Sequence, residues 1–210
     1  GKRRDILKNT VVTADEFSHR DHHKIKIFDV ENKKLTRRTM KDGDQGSLWE
    51  YLDWTLSVSS NSAASMLMRD AMLLRHYGKD YPVSNTEAER FFRETPGKEL
   101  TALFQETFFD PITRNGLDIG KLRQGSFLTR EGKNKVNGGG NSYGTARELM
   151  LFVLRMEQGR LVDEFSSRQI KRLMYMTERR IRYASSPALK DAAVYFKSGS
   201  LYSCKEEEGF

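Results

Sequence analysis

Cysteine is almost missing from this chain: Cys204 is the only one in 210 residues. A lone thiol excludes an internal disulfide and any zinc site built from several cysteines, and it leaves the redox compartment open. Long apolar runs are missing too. None approaches the ~18–20 residues that span a bilayer, so no membrane span is expected. There is no signal peptide; the chain opens GKRRDILKN, polar and without an initiator Met, which reads as a processed or truncated form. There is no internal repeat, and biased composition is confined to GGG and the terminal KEEEGF. What remains is ordinary soluble globular material, 37% hydrophobic and 31% charged, long enough to bury a sizeable core. The net charge of +7 fits nucleic acid, an anionic envelope surface or a carboxylate substrate, and does not choose among them.

Residues 1–45 read as loosely structured, with a short edge strand at KIKIFDV, 24–30. Ser47-Leu48-Trp49-Glu50 is a capping box, predicting a helix that stops near Val58. A second helix, Ser62 to His76, is apolar on most sides and closed by Gly78. Ser84-x-x-Glu87 caps another, ended by Pro96, and a further helix covers about 98–109. From 110 to 142 no periodicity persists, which predicts a long loop. Thr145-x-x-Glu148 opens an amphipathic helix to Gln158, and Ser166 opens the next through Met176. DAAVYFKSGSLYSC, 191–204, reads as the best strand.

Four candidate signals are weighed against plainer alternatives. HRDHH offers His19, Asp21, His22 and His23 as metal ligands, but adjacent histidines in a polar segment rarely converge on one ion, and no metal or cofactor is expected. The basic run 167–183 would suit nucleic acid, yet its periodic apolar residues describe an amphipathic helix with a wet face. GKNKVNGGGNS lacks the terminal Gly-Lys-Ser/Thr of a phosphate loop. The methionines of 62–76 read as core.

SVSSNSAASML, 57–67, sets four serines and an asparagine in front of an apolar run. Small polar residues there are the usual N-caps. Taken with KSG far downstream, they carry a second meaning. Ser59-Ser60-Asn61 and Lys197-Ser198-Gly199 resemble the Ser-x-Asn and Lys-Thr/Ser-Gly elements of the serine β-lactamase and penicillin-binding family, nearest its class A β-lactamases. The context agrees: KDGDQGSLWEYLDWTLSVSSNSAASMLM matches the family's Asp-Gly segment, helix, turn and apolar helix, and NSYGTARELMLFVLRMEQGRLVD resembles the helix and Gly-Arg-Leu turn between the two motifs. GKRRDILKNTVVTADEF resembles the segment that follows the family's nucleophile-bearing helix. The family's Ser-x-x-Lys occurs nowhere in these 210 residues. The reading is therefore one incomplete catalytic domain over 1–210, with 79–125 read as an insertion, and an α+β fold with a mainly helical lobe and part of an antiparallel sheet.

The resemblance implies a serine hydrolase working through an acyl-enzyme on β-lactams or related acyl-D-amino-acid amides, its nucleophile outside the present sequence and the fragment alone inactive. Ser59 would relay a proton to the leaving nitrogen, Lys197 would hold the Ser59 hydroxyl and supply positive charge, and Asn61 would grip a substrate amide. Ser198 would bond the substrate carboxylate, Gly199 would permit close approach, and Ser200 would give an oxyanion-hole N–H. Glu131 is the candidate deacylation base, although the family's Trp-Glu-Pro-type surroundings are absent. The implied partner is a β-lactam or peptidoglycan-type small molecule rather than nucleic acid, and the implied location periplasmic or secreted. The rivals are a non-catalytic relative that binds cell-wall peptide and, further off, a basic nucleic-acid binder. One geometric demand separates the readings: 138 residues apart, Ser59 and Lys197 must meet within about 2.7–4 Å.

Overall fold

The apolar helix of the sequence becomes the axis of the fold. The computed structural model describes residues 2–29, 32–177 and 180–199. The chain enters through α1 (Lys2–Asn9) and β1 (Val11–Thr13), then a hairpin of β2 (Ile25–Asp29) and β3 (Lys34–Arg38). The short strand β4 (Gln45–Ser47) returns antiparallel to β1 and leads into α2 (Leu48–Ser57) and α3 (Asn61–Tyr77). Next come α4 (Asn85–Glu94), α5 (Gly97–Phe108) and the single turn α6 (Asp110–Arg114). The two-residue strands β5 (Leu122–Arg123) and β6 (Tyr143–Gly144) pair antiparallel around α7 (Arg130–Lys135). The helices α8 (Ala146–Glu157) and α9 (Glu164–Tyr175) follow. The fold is α+β, mainly helical, with small antiparallel two-stranded sheets.

Local chemistry explains most boundaries. Ser47 accepts from Glu50 N–H while the Glu50 carboxylate accepts the Ser47 N–H, the reciprocal capping box, so α2 starts where its sequence says. Gly78 ends α3 at φ +56, a conformation that strains residues with a Cβ. Around α3, Met66 and Met72 are fully buried against Tyr51 and Trp54 of α2, Phe91 and Phe92 of α4, and Leu100 and Phe104 of α5. Phe17 lies 4.8 Å from Phe92 and 5.2 Å from Phe127, ring centre to ring centre. Each such side chain contributes about 1.5–3 kcal/mol on leaving water. The same helix buries a charge: Arg69 pairs with Asp15 at 2.8 Å and Asp70 at 2.9 Å. Burial raises the pKa of both carboxyls against the pull of that guanidinium. A smaller apolar cluster, Leu117, Met156 and Leu161, seats α8 and α9 beside this body.

Three expectations need correction. The described residues of 1–45 are not loose: they form α1, the β1 half of one sheet and the β2–β3 hairpin. Their pairing partners are close in sequence, but runs this short and this charged show weak periodicity. Residues 110–142 are not one loop, because α6, β5 and α7 punctuate them, each too short to give a repeat. The segment 191–204, expected as the best strand, carries no strand over its described part, 191–199. A strand is defined by its ladder, and among the described residues none pairs with this segment. The rest of that stretch, with Ser200 and Cys204, lies outside the described residues, as does Val30 at the end of the 24–30 strand.

Candidate active site

The serines of SVSSNSAAS separate into two kinds. Ser60 caps α3, accepting from Ala63 N–H at 3.1 Å and donating its hydroxyl proton to Asp21 at 3.0 Å. Ser62 donates to the Ser18 carbonyl. Ser65, deep in the core, accepts from Leu128 N–H and Thr129 N–H. Ser57 donates to Asp53 one turn back. Each of these four bonds inward to the protein's own backbone or carboxylates. Ser59 does not. It sits half-buried in the turn between α2 and α3 at φ +60, left-handed for a residue that carries a Cβ. Such a conformation costs about 1–2 kcal/mol and persists only where the surroundings impose it.

Its partner comes from the far end of the chain. Lys197 Nζ donates to Ser59 Oγ at 2.7 Å and to the Ser198 carbonyl at 2.7 Å. The separation demanded by the family resemblance is thus met. No carboxylate pairs with this ammonium among the described residues, and loss of water around it lowers its pKa from the ordinary 10.5, although the side chain as a whole is exposed. Apolar contacts hold the segment in place of a sheet. Phe196 is buried, Tyr195 packs 5.6 Å from Tyr175 of α9, and Lys171 caps the Tyr195 ring at 4.9 Å. Arg172 of α9 lies over Trp49 of α2, so α9 docks the Lys197 segment onto the helix that leads into the Ser59 turn.

An open cavity of about 270 Å³ lies beside the pair, lined by Ser57, Val58, Ser59, Phe196 and Ser198, with Thr177, Lys24 and Arg37 among its other walls. Residues of the β2–β3 hairpin region and of the Lys197 segment therefore face one cavity. The Thr177 hydroxyl is buried without a hydrogen-bond partner among the described residues. Nothing in the sequence marked Thr177, Lys24 or Arg37 as site residues, since only folding gathers them.

The other expected site residues divide. Asn61 is not among the cavity's lining residues: α3 begins one residue earlier than its sequence suggests, and Asn61 takes the first helical position instead of the turn. Gly199 has open space where a Cβ would stand. Glu131 lies in the first turn of α7, not in a loop, 3.6 Å from Arg20 and accepting from Asn134 Nδ2. HRDHH splits as well. His19 pairs with Asp42, whereas Asp21, His22 and His23 gather within 4.8 Å of one another. Both Asp21 oxygens are already occupied by hydrogen-bond donors, so the trio is wired as an anchor for the turn. The basic run keeps a wet face with internal partners, Arg168 on Glu164 and Lys171 on Glu157. No helix among the described residues is long and apolar enough to cross a membrane.

Comparison with known proteins gives one positive result. The model described as the "Beta-lactamase enzyme family" matches residues 10–210. No curated protein and no solved structure matches the chain.

Proposed function

Since the chain belongs to the β-lactamase enzyme family, we propose that it forms part of a serine hydrolase acting on β-lactams or related acyl-D-amino-acid amides through an acyl-enzyme. The nucleophile and its lysine would stand outside these 210 residues, which hold no Ser-x-x-Lys. The observation that carries this reading is the 2.7 Å bond between Lys197 and Ser59, because caps and strand ends give no reason for two residues so far apart in sequence to meet. A hydroxyl that accepts from an ammonium keeps its own proton free to give away. Ser59 would pass that proton to the leaving nitrogen and recover one through Lys197, a positioned proton transfer of the kind that contributes about 10²–10⁴-fold.

Substrate binding would use the same cavity. Ser198, the Thr177 hydroxyl, buried without a partner among the described residues, and the positive field of Lys197 suit a carboxylate. Gly199 would let the ligand lie close to the backbone, Ser200 would supply an oxyanion-hole N–H, and Asn61 would reach a substrate amide from the start of α3. Glu131 would serve as deacylation base only by leaving Arg20. An enzyme on this substrate class works in the periplasm or as a secreted protein.

The test is the intact mass of the longer protein bearing the nucleophile after exposure to a penicillin. A covalent adduct that forms far more slowly in Lys197→Ala supports the proposal. Saturable binding without an adduct favours the non-catalytic cell-wall binder, and neither adduct nor binding ends both readings.

A further inference from the structure

Ser59 holds an unfavourable backbone conformation, and the residues just after it are bonded to one buried carboxylate. The Asp21 side chain is 1% exposed. Its Oδ2 accepts the Ser60 hydroxyl at 3.0 Å and the Ser62 N–H at 3.0 Å, gripping the chain on the α3 side of Ser59. Its Oδ1 accepts the His23 N–H at 3.1 Å and lies 2.5 Å from His23 Nδ1, whose ring stacks on His22. Four donors fill a group that offers about four acceptor sites and no proton of its own. A hydroxyl or an amide at this position could not accept as many.

We infer that Asp21 is the positioning residue of this site: by holding Ser60 and Ser62 it fixes the turn that delivers the Ser59 hydroxyl to Lys197. The inference rests on the reading of Ser59 as the proton relay. It adds that the relay's geometry is set by a side chain from a different loop, 39 residues before Ser60. On the α2 side the Ser60 N–H donates to the Trp54 carbonyl. With Asp21 removed, that bond and the Ser60 cap would keep α3 helical. The Ser62 and Ser65 bonds to the body would still seat the helix, but the side-chain tether on Ser60, the residue next to Ser59, would be gone, and the Ser59 hydroxyl would swing from the ammonium.

The experiment follows the Lys197 side-chain resonances and the Ser62 amide by NMR in the 210-residue protein. Ser59→Ala defines the signature of a broken Ser59–Lys197 contact. Asp21→Ala is expected to give that same Lys197 signature with the fold retained. Asp21→Asn keeps one acceptor oxygen for the turn, so it is expected to hold both the Ser62 and the Lys197 signals near wild type. An Asp21→Ala protein that folds with an unchanged Lys197 signature overturns the proposal. If that variant does not fold, Asp21→Asn decides: Ser62 and Lys197 signals that both stay near wild type or move together support the coupling, and one moving without the other refutes it. The readout needs no catalysis, so it stands apart from the acyl-transfer reading. In the longer protein, Asp21→Ala should slow acylation about 10²-fold with Asp21→Asn restoring most of the rate, as expected for a displaced proton relay.

Discussion

The two halves of the site are built in opposite ways. Ser59 stands at the head of a buried helix whose first turns are bolted to the body through Ser60, Ser62 and Ser65. Lys197 stands on a segment without helix or strand, held by Phe196, Tyr195 and the side of α9. One half derives its precision from hydrogen bonds and core packing, the other from a few aromatic contacts. Hydrogen bonds fix direction as well as distance, whereas apolar contact fixes only proximity. A left-handed serine therefore belongs on the first half, and a long lysine, which adapts through its own rotamers, can work from the second.

The comparison predicts that damage to the body is the most costly. Arg69→Met leaves Asp15 and Asp70 buried without their cation, and unfolding in urea should show a loss of about 3–5 kcal/mol. Acting on the other half should affect function and spare the fold. Lys197→Ala in the longer protein is expected to slow acylation about 10²–10⁴-fold while the melting temperature stays within about a degree or two. An equal loss of stability would mean that the segment is part of the core, and the contrast would fail.

Smaller changes separate neighbours within the turn. Ser60→Ala removes both the α3 cap and a donor to Asp21, for about 1–2 kcal/mol. Ser59→Gly accepts the left-handed backbone and should alter stability by less than about 1 kcal/mol, yet it deletes the relay hydroxyl. Finding Ser59→Gly the more destabilising of the two would show the hydroxyl to be structural. The smallest effect is a pH dependence. Burial pushes the Asp21 carboxyl up, but the Ser62 N–H, the His23 ring and the His23 N–H together hold it below the ordinary 3.8. A carboxyl with a depressed folded-state pKa stabilises fully above its unfolded pKa and loses that contribution as pH falls through the folded value. The stability difference between wild type and Asp21→Asn should thus be flat from neutral pH to about 5 and shrink below about 4. A difference unchanged at pH 3 would remove the charge from the account.

Much of the helical body was legible because its signals are local. The capping box at Ser47, the apolar stretch of α3, Gly78 and the Thr145 cap each act within one or two turns, and the boundaries follow them to within two residues. The family motifs were legible as well, as words: Ser59-Ser60-Asn61 and Lys197-Ser198-Gly199. What no local rule could supply was which serine of the cluster faces outward, and that Asp21, set aside as part of a poor metal motif, holds the turn. Nor could alternation in 191–204 supply a sheet, because a strand exists only with a neighbour to bond. The sequence by itself determined where helices begin and which residue types the chemistry needs. Tertiary structure alone decided that Ser59 meets Lys197 and that Thr177 shares their cavity, since those contacts join segments whose separation along the chain carries no information about their distance in space.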